Sequence, residues 1–174
     1  MARQKHPIGK HAMNKVQILA TGSEFLKGGV RGTGPVIEEM IKSSEKEIQI
    51  MAYVISLHAS KFLDYLEEAL QKEVKMTIIL NRLDEQDEKI KKKIKKMERQ
   101  YRKLKVINFT DPLGGDLHAK VIVVDRKKAV IGSANFSWHG MSHNYEVGVQ
   151  IEGDSAWKLG KLIDDLVEKL ENKR

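Results

Sequence analysis

His118 and Lys120, two positions apart, bring an imidazole and an ammonium into one short stretch of the chain. Residues two apart on a strand point to the same face, so an imidazole and an ammonium would stand side by side there. That pair suits an anion, since the lysine neutralises charged oxygens while the imidazole attacks or moves a proton. Ile122 and Val124 continue the same face into a core. Downstream, Gly132, Ser133 and Asn135 leave the next apolar run at a small-residue bend. Backbone can approach an oxyanion closely at such a bend, and the Asn135 amide can donate to it.

Together with Asp125, these residues match H-x-K-x4-D-x6-G-S-x-N without departure over eighteen positions. The segment resembles the His-Lys-Asp motif of the phospholipase D superfamily, a resemblance carried by about residues 117–150. It implies a phosphodiesterase that needs neither metal nor cofactor, in which a motif histidine attacks phosphorus to give a covalent phosphohistidine. A histidine of a second motif protonates the leaving oxygen and then deprotonates the incoming water. Carried over, His118 is nucleophile or acid, Lys120 and Asn135 bind phosphoryl oxygens, and Gly132 and Ser133 support them. Asp125 follows the spacing, but its place at a strand end points to a turn role. Glu146 stands where members often have a carboxylate that hydrogen-bonds the motif histidine, fixing its tautomer.

One motif is present, whereas that chemistry needs two histidines. His6, His11 and His58 lack a lysine two residues on. The resemblance therefore implies a two-fold homodimer that places both copies of His118 in one site, as in the short nuclease members of the family. The paired histidines would titrate as a coupled unit with a bell-shaped pH profile.

The remaining candidates are weaker. His139 and His143 have an i, i+4 spacing that can bind zinc, but Gly140 and Ser142 disfavour a regular helix and no acid or cysteine ligand stands beside them. Lining a substrate groove or packing near a dimer axis is the preferred role for both. His58 reads as a loop histidine, Trp157 as core, and Trp138 as either a base-stacking or a packing residue.

The 174 residues carry a net charge of +7, and the window Lys89–Lys105 alone carries +9. Lys91, Lys92, Lys93, Lys95, Lys96 and Arg99 form an exposed stripe there that can track a DNA or RNA backbone. The chain has no cysteine, which excludes a disulfide framework, a cysteine nucleophile and a zinc ribbon. It shows neither a signal peptide nor an apolar run of membrane-spanning length, so a cytoplasmic protein without stable membrane association is expected.

These residues need elements to hold them. A basic arm is expected over 1–15, then one domain over 16–174. Val16–Ala20 reads as a strand, Gly22–Gly34 as a loop, and Pro35 as the first turn of a helix to Ser44 with Glu38 and Glu39 near its positive end. Glu47–Leu57, Val74–Leu80, Leu104–Phe109, Leu117–Val124, Ala129–Ile131 and Tyr145–Ile151 read as strands. Helices are expected around Phe62–Leu70, after the acids at Asp84–Glu88, and from Trp157 through Leu162 to Leu170. The pattern predicts an α/β fold in which a mixed sheet is sandwiched between helices. A nuclease acting on DNA or RNA is the expected function; a phospholipase or phosphatidyl transferase, and a non-catalytic nucleic-acid-binding module, are its rivals.

Overall fold

The computed structural model describes residues 14–56 and 60–172. His58 and nearly all of the basic arm lie outside them. Within the arm's expected span, Asn14 accepts a hydrogen bond from the Ser155 amide at 2.9 Å, and Lys15 already belongs to a strand.

Among the described residues eight strands form one mixed sheet: β1 (Lys15–Thr21), β2 (Arg31–Gly32), β3 (Glu47–Ala52), β4 (Lys75–Asn81), β5 (Leu104–Phe109), β6 (Lys120–Val124), β7 (Lys128–Gly132) and β8 (Glu146–Glu152). Their order is β2-β1-β8-β7-β6-β3-β4-β5. β3, β4 and β5 are mutually parallel, whereas β6, β7, β8 and β1 alternate in direction. The helices are α1 (Ser23–Leu26), α2 (Thr33–Lys42), α3 (Ser60–Gln71), α4 (Glu88–Gln100) and α5 (Asp154–Glu171).

The larger core lies on one face, where Ile48, Ile50, Met76, Ile78 and Ile122 meet Val36 and Met40 of α2, Leu63 and Leu66 of α3, and Ile90 and Ile94 of α4. On the opposite face α5 lays Ala156, Ile163 and Leu166 over Met51, Ile79, Ile107, Val121 and Val123. The β3, β4 and β6 strands thus bury both faces, which accounts for their unbroken apolar runs. The expected sandwich of a mixed sheet between helices is what forms.

Several local expectations are corrected. Gly22–Gly34 contains α1 and β2, because Arg31 and Gly32 pair in parallel with Leu19 and Ala20. Glu38 and Glu39 do not sit in the first turn of α2; they pair with Lys42 and Arg31. β3 stops at Ala52, and Leu57 lies outside the described residues. Trp157 is only partly buried and Leu162 is 57% exposed, so the core-facing stripe of α5 runs through Ala156, Ile163, Leu166 and Leu170.

Asp125 sits at the hairpin between β6 and β7 with φ of 52°, and its carboxylate accepts the Glu45, Lys46 and Glu47 amides at 3.0, 2.8 and 2.9 Å. Next to it, Arg126 pairs with Glu47 and donates to Asp164 at 2.7 Å, tying the hairpin to β3 and α5. Burial opposes the charge on Arg126, but the hydrogen bonds it donates to Glu47 and Asp164 outweigh this and raise the guanidinium pKa.

Candidate active site

The C-terminal ends of β1, β3 and β7 and the N-terminal ends of β6 and β8 meet at one end of the sheet. His118, Lys120, Ser133, Asn135 and Glu146 all come from segments at this end. Asp125 lies at the other, seven residues along from His118 and roughly 20 Å away at strand rise. The aspartate of the motif is therefore a structural cap for the start of β3.

Lys120 is the first residue of β6, opposite Ala52, and is only 8% exposed. His118 precedes the strand rather than lying on it, because Leu117 is turned aside by donating its amide to Asn81 Oδ1 at 2.9 Å. The two side chains still meet. Lys120 Nζ lies 3.0 Å from His118 Nδ1, 3.4 Å from Nε2 and 2.9 Å from the His118 carbonyl oxygen. The imidazole is exposed and rests against the ring of Tyr53 at 4.4 Å between centroids. Lys120 Nζ also lies 5.2 Å from the Tyr53 ring centre, at cation–π range. Burial lowers the Lys120 pKa, and the negative charge of Glu146 partly offsets this. The result is a poised cation beneath an accessible imidazole.

β7 and β8 supply the neighbouring wall. Gly132 and Gly148 are paired across the two strands, and a Cβ on Gly132 would meet Gly148 Cα and the Val147 carbonyl oxygen at 3.0 Å. That close approach lets Ser133 Oγ reach Glu146, whose other oxygen accepts Asn144 Nδ2 at 3.2 Å. The Glu146 carboxylate is thus engaged by Ser133 and Asn144 rather than by His118. β8 stands two strands from β6, roughly 10 Å in a regular sheet. Asn135 Oδ1 is buried without a hydrogen-bond partner; that oxygen only accepts, so the amide nitrogen is the group that can donate to an oxyanion.

Two features escaped the sequence reading. Tyr53 looked like one more apolar residue of a buried strand, yet it lies just past the end of β3 and packs on the imidazole. Arg82, at φ 41°, holds Asp116 at 2.8 Å beside Asn81, forming one side of a cavity of about 440 Å³ next to Tyr53. The hydrogen bonds from Arg82 and Asn81 lower the Asp116 pKa.

The basic stripe resolves into two groups. Lys91 pairs with Glu88, and Lys93 with Asp64 at 2.7 Å. Lys92, Lys95, Lys96 and Arg99 instead line an open groove of about 360 Å³ on α4. His139 and His143 fall in a single π-helical turn over His139–His143, their rings 6.1 Å apart and both against Trp138. Among the described residues no group of three His, Cys, Asp or Glu could hold a metal ion, and no helix is long and apolar enough to cross a membrane.

Comparison with known proteins agrees with this geometry. The model of the family described as cardiolipin synthase, PLD-like domain, matches residues 37–173. The chain is 27% identical over 157 residues to the DISARM protein DrmC of Bacillus paralicheniformis, covering 89% of this chain and 64% of that protein. It is 33% identical over 122 residues to a phospholipase D of Rickettsia prowazekii, covering 70% of this chain and 55% of that one. The chain thus spans between half and two thirds of the length of these curated relatives. In three dimensions it is similar to NucT from Helicobacter pylori, with a TM-score of 0.72, 18% identity, and coverage of 90% of this chain and 97% of that one.

Proposed function

The chain belongs to the phospholipase D-like family, and from that premise we propose that it is a metal-independent phosphodiesterase that cuts DNA or RNA, with two copies of the chain completing one site. The observation that carries the reading is the accessible His118 imidazole held against the buried Lys120 ammonium. In the proposed reaction an imidazole nitrogen of one His118 attacks phosphorus while the second copy's imidazolium gives its proton to the departing oxygen. Water then attacks the phosphohistidine, losing its proton to that second imidazole and releasing His118. Lys120 and Asn135 hold the phosphoryl oxygens throughout, and their charge and dipole stabilise the pentacoordinate state. Glu146 sustains the charge on Lys120 and positions Ser133.

Nucleic acid is favoured as substrate by the groove of Lys92, Lys95, Lys96 and Arg99, which offers a run of cations to a phosphate backbone. Pairing of two copies is supported by an apolar strip beside the site. Val16 and Ile18 of β1 and Val147 of β8 are 58%, 55% and 53% exposed on the face that α5 leaves open, with Tyr145 and Phe25 in edge-to-face contact at the strip's end. Contiguous exposed apolar surface of this kind marks interaction sites. A cytoplasmic location goes with this reading.

A second reading, cleavage or transfer of phospholipid headgroups, is favoured by the 33% identity to the Rickettsia phospholipase D. The deciding experiment incubates the protein in EDTA with labelled single- and double-stranded DNA and RNA and with phosphatidylglycerol vesicles, beside His118→Ala. Cleavage of nucleic acid that survives chelation and disappears in the variant supports the proposal. Release of phosphatidic acid without nucleic-acid cleavage transfers the function to lipid. Equal behaviour of variant and wild type reduces the protein to a binding module.

A further inference from the structure

A cavity of about 370 Å³ opens between the first turns of α2 and α3 and the segment that follows Asn135. Its walls include Pro35, Phe62, Tyr65, Trp138 and Met141, with Lys61 at the rim. Nothing in the proposed reaction uses it. We infer that it is a base-stacking subsite, which takes a nucleobase next to the phosphate being cleaved and uses Trp138 as the platform. The inference rests on nucleic acid being the substrate.

Continuity with the phosphate site is the first argument. Phe136 follows Asn135 directly, stacks on Phe62 at 4.9 Å and 13°, and accepts the Ser56 amide on its carbonyl oxygen at 3.1 Å. The segment is therefore clamped to α3 and to the chain that follows β3, where Ile55 bridges to Phe136. Trp138 is three residues from Asn135, so their Cα atoms are at most about 11 Å apart. A nucleoside attached to a phosphate at Asn135 can reach that far.

The indole itself is the second. His143 covers Trp138 at 4.4 Å and 31°, and His139 meets it edge-on at 5.1 Å. Backed in this way, the indole remains 45% exposed and lines the cavity. A large flat ring held from one side and open on another is what successive bases stack upon, whatever their identity. The backing also depends on a close approach: a Cβ on Gly34 would meet the Met141 carbonyl oxygen at 2.7 Å, so glycine lets α2 draw up to the π-helical turn.

Charge decides the class of occupant. Lys61 lines the cavity beside the first turns, and so the positive ends, of α2 and α3, while the Glu38 carboxylate in the lining is neutralised by Lys42, which lies 4.6 Å above the Tyr65 ring. Ser142 and Glu38 add hydrogen-bonding groups to the lining. An alkyl chain would strip water from the Lys61 ammonium and from the Glu38–Lys42 pair and put nothing polar in its place. A base carries donors and acceptors on its edge and a phosphate behind it, and satisfies both features.

The test compares equilibrium binding and EDTA-resistant cleavage of two single-stranded oligomers of equal length, one of thymidine and one abasic throughout. Wild type, Trp138→Ala and Trp138→Phe are used, with folding checked by circular dichroism. Wild type is expected to bind the thymidine oligomer about 5- to 150-fold more tightly than the abasic one. Trp138→Ala should lose that preference while keeping its affinity for the abasic oligomer, and Trp138→Phe should keep part of it. Absence of any base preference in wild type overturns the subsite without recourse to a variant, as does a preference that survives in folded Trp138→Ala. In either case continued cleavage leaves the nuclease reading standing. Failure to bind either oligomer removes both, and vesicle binding that depends on Trp138 would make the cavity an acyl-chain site.

Discussion

Lys120 Nζ lies 3.0 Å from Nδ1 of His118 and 2.9 Å from the carbonyl oxygen of the same residue. The lysine is buried at the head of β6, and no carboxylate forms a hydrogen bond or ion pair with it among the described residues. A buried cation with no acidic hydrogen-bond partner is suited to receive an anion, and its desolvation is a cost to the fold.

Replacing Lys120 by Met removes that cost. Because burial lowers the Lys120 pKa, the unfolded chain binds more protons than the folded one between the folded and the ordinary lysine values. Stability of the wild type should therefore rise with pH across that window, the penalty being fully present below it. Lys120→Met should abolish cleavage, raise Tm by roughly 2–4 °C at neutral pH for a gain near 1 kcal/mol, and lose the alkaline increment. Thermal scans of both proteins as a function of pH check all three.

Glu146→Gln acts on the same lysine from β8. The Glu146 charge favours the charged form of Lys120, so its removal should lower the Lys120 pKa further. The window in which Lys120 makes stability rise with pH should then open at lower pH in thermal scans. An unmoved window would separate Glu146 from Lys120. Ser133→Ala, which removes a hydrogen bond to Glu146 but no charge, provides the control.

Asp125→Ala should damage folding rather than chemistry. The carboxylate accepts three backbone amides at the start of β3, and the residue sits at φ 52°, which alanine adopts poorly. A loss of about 2–4 kcal/mol in urea unfolding is expected from the unmade hydrogen bonds and the backbone strain. Activity per folded molecule should be close to that of the wild type, unlike that of His118→Ala.

Ile18→Glu tests the apolar strip. The side chain is 55% exposed beside Val16 and Val147, so a charge there costs the monomer little. Sedimentation should show the wild type at twice the chain mass and the variant at once the chain mass, with cleavage lost in proportion. An active monomer would end the shared-site proposal.

Gly148→Ala probes how the wall of the site is built. A Cβ at Gly148 would meet the Ile131 carbonyl oxygen at 2.9 Å and Gly132 Cα at 3.2 Å, both backbone atoms that cannot swing aside. The two strands must part there, costing roughly 1–3 kcal/mol and displacing Ser133 from Glu146. The expected readout is a lowered Tm together with a fall in kcat that Glu146→Gln reproduces only in part.

Local information was enough to read the alternating strands and helices, because apolar periodicity and turn residues act over a few positions. It was likewise enough to single out His118, Lys120 and Asn135 as candidates, whose types and spacing carry the resemblance within eighteen residues. It was not enough to tell which members of the motif share a site. Asp125 lies between Lys120 and Asn135 in the chain, yet the rise of β6 carries it to the far end of the sheet, where it caps β3. Tyr53, 65 positions before His118, reaches the imidazole only because β3 and β6 pair antiparallel with Ala52 opposite Lys120. The exposed faces of Val16 and Trp138 were also beyond the sequence, since burial depends on which helix covers a strand. The motif is a local pattern; its partners, its burial and its open neighbouring surfaces are set by strand order, which only the tertiary structure decides.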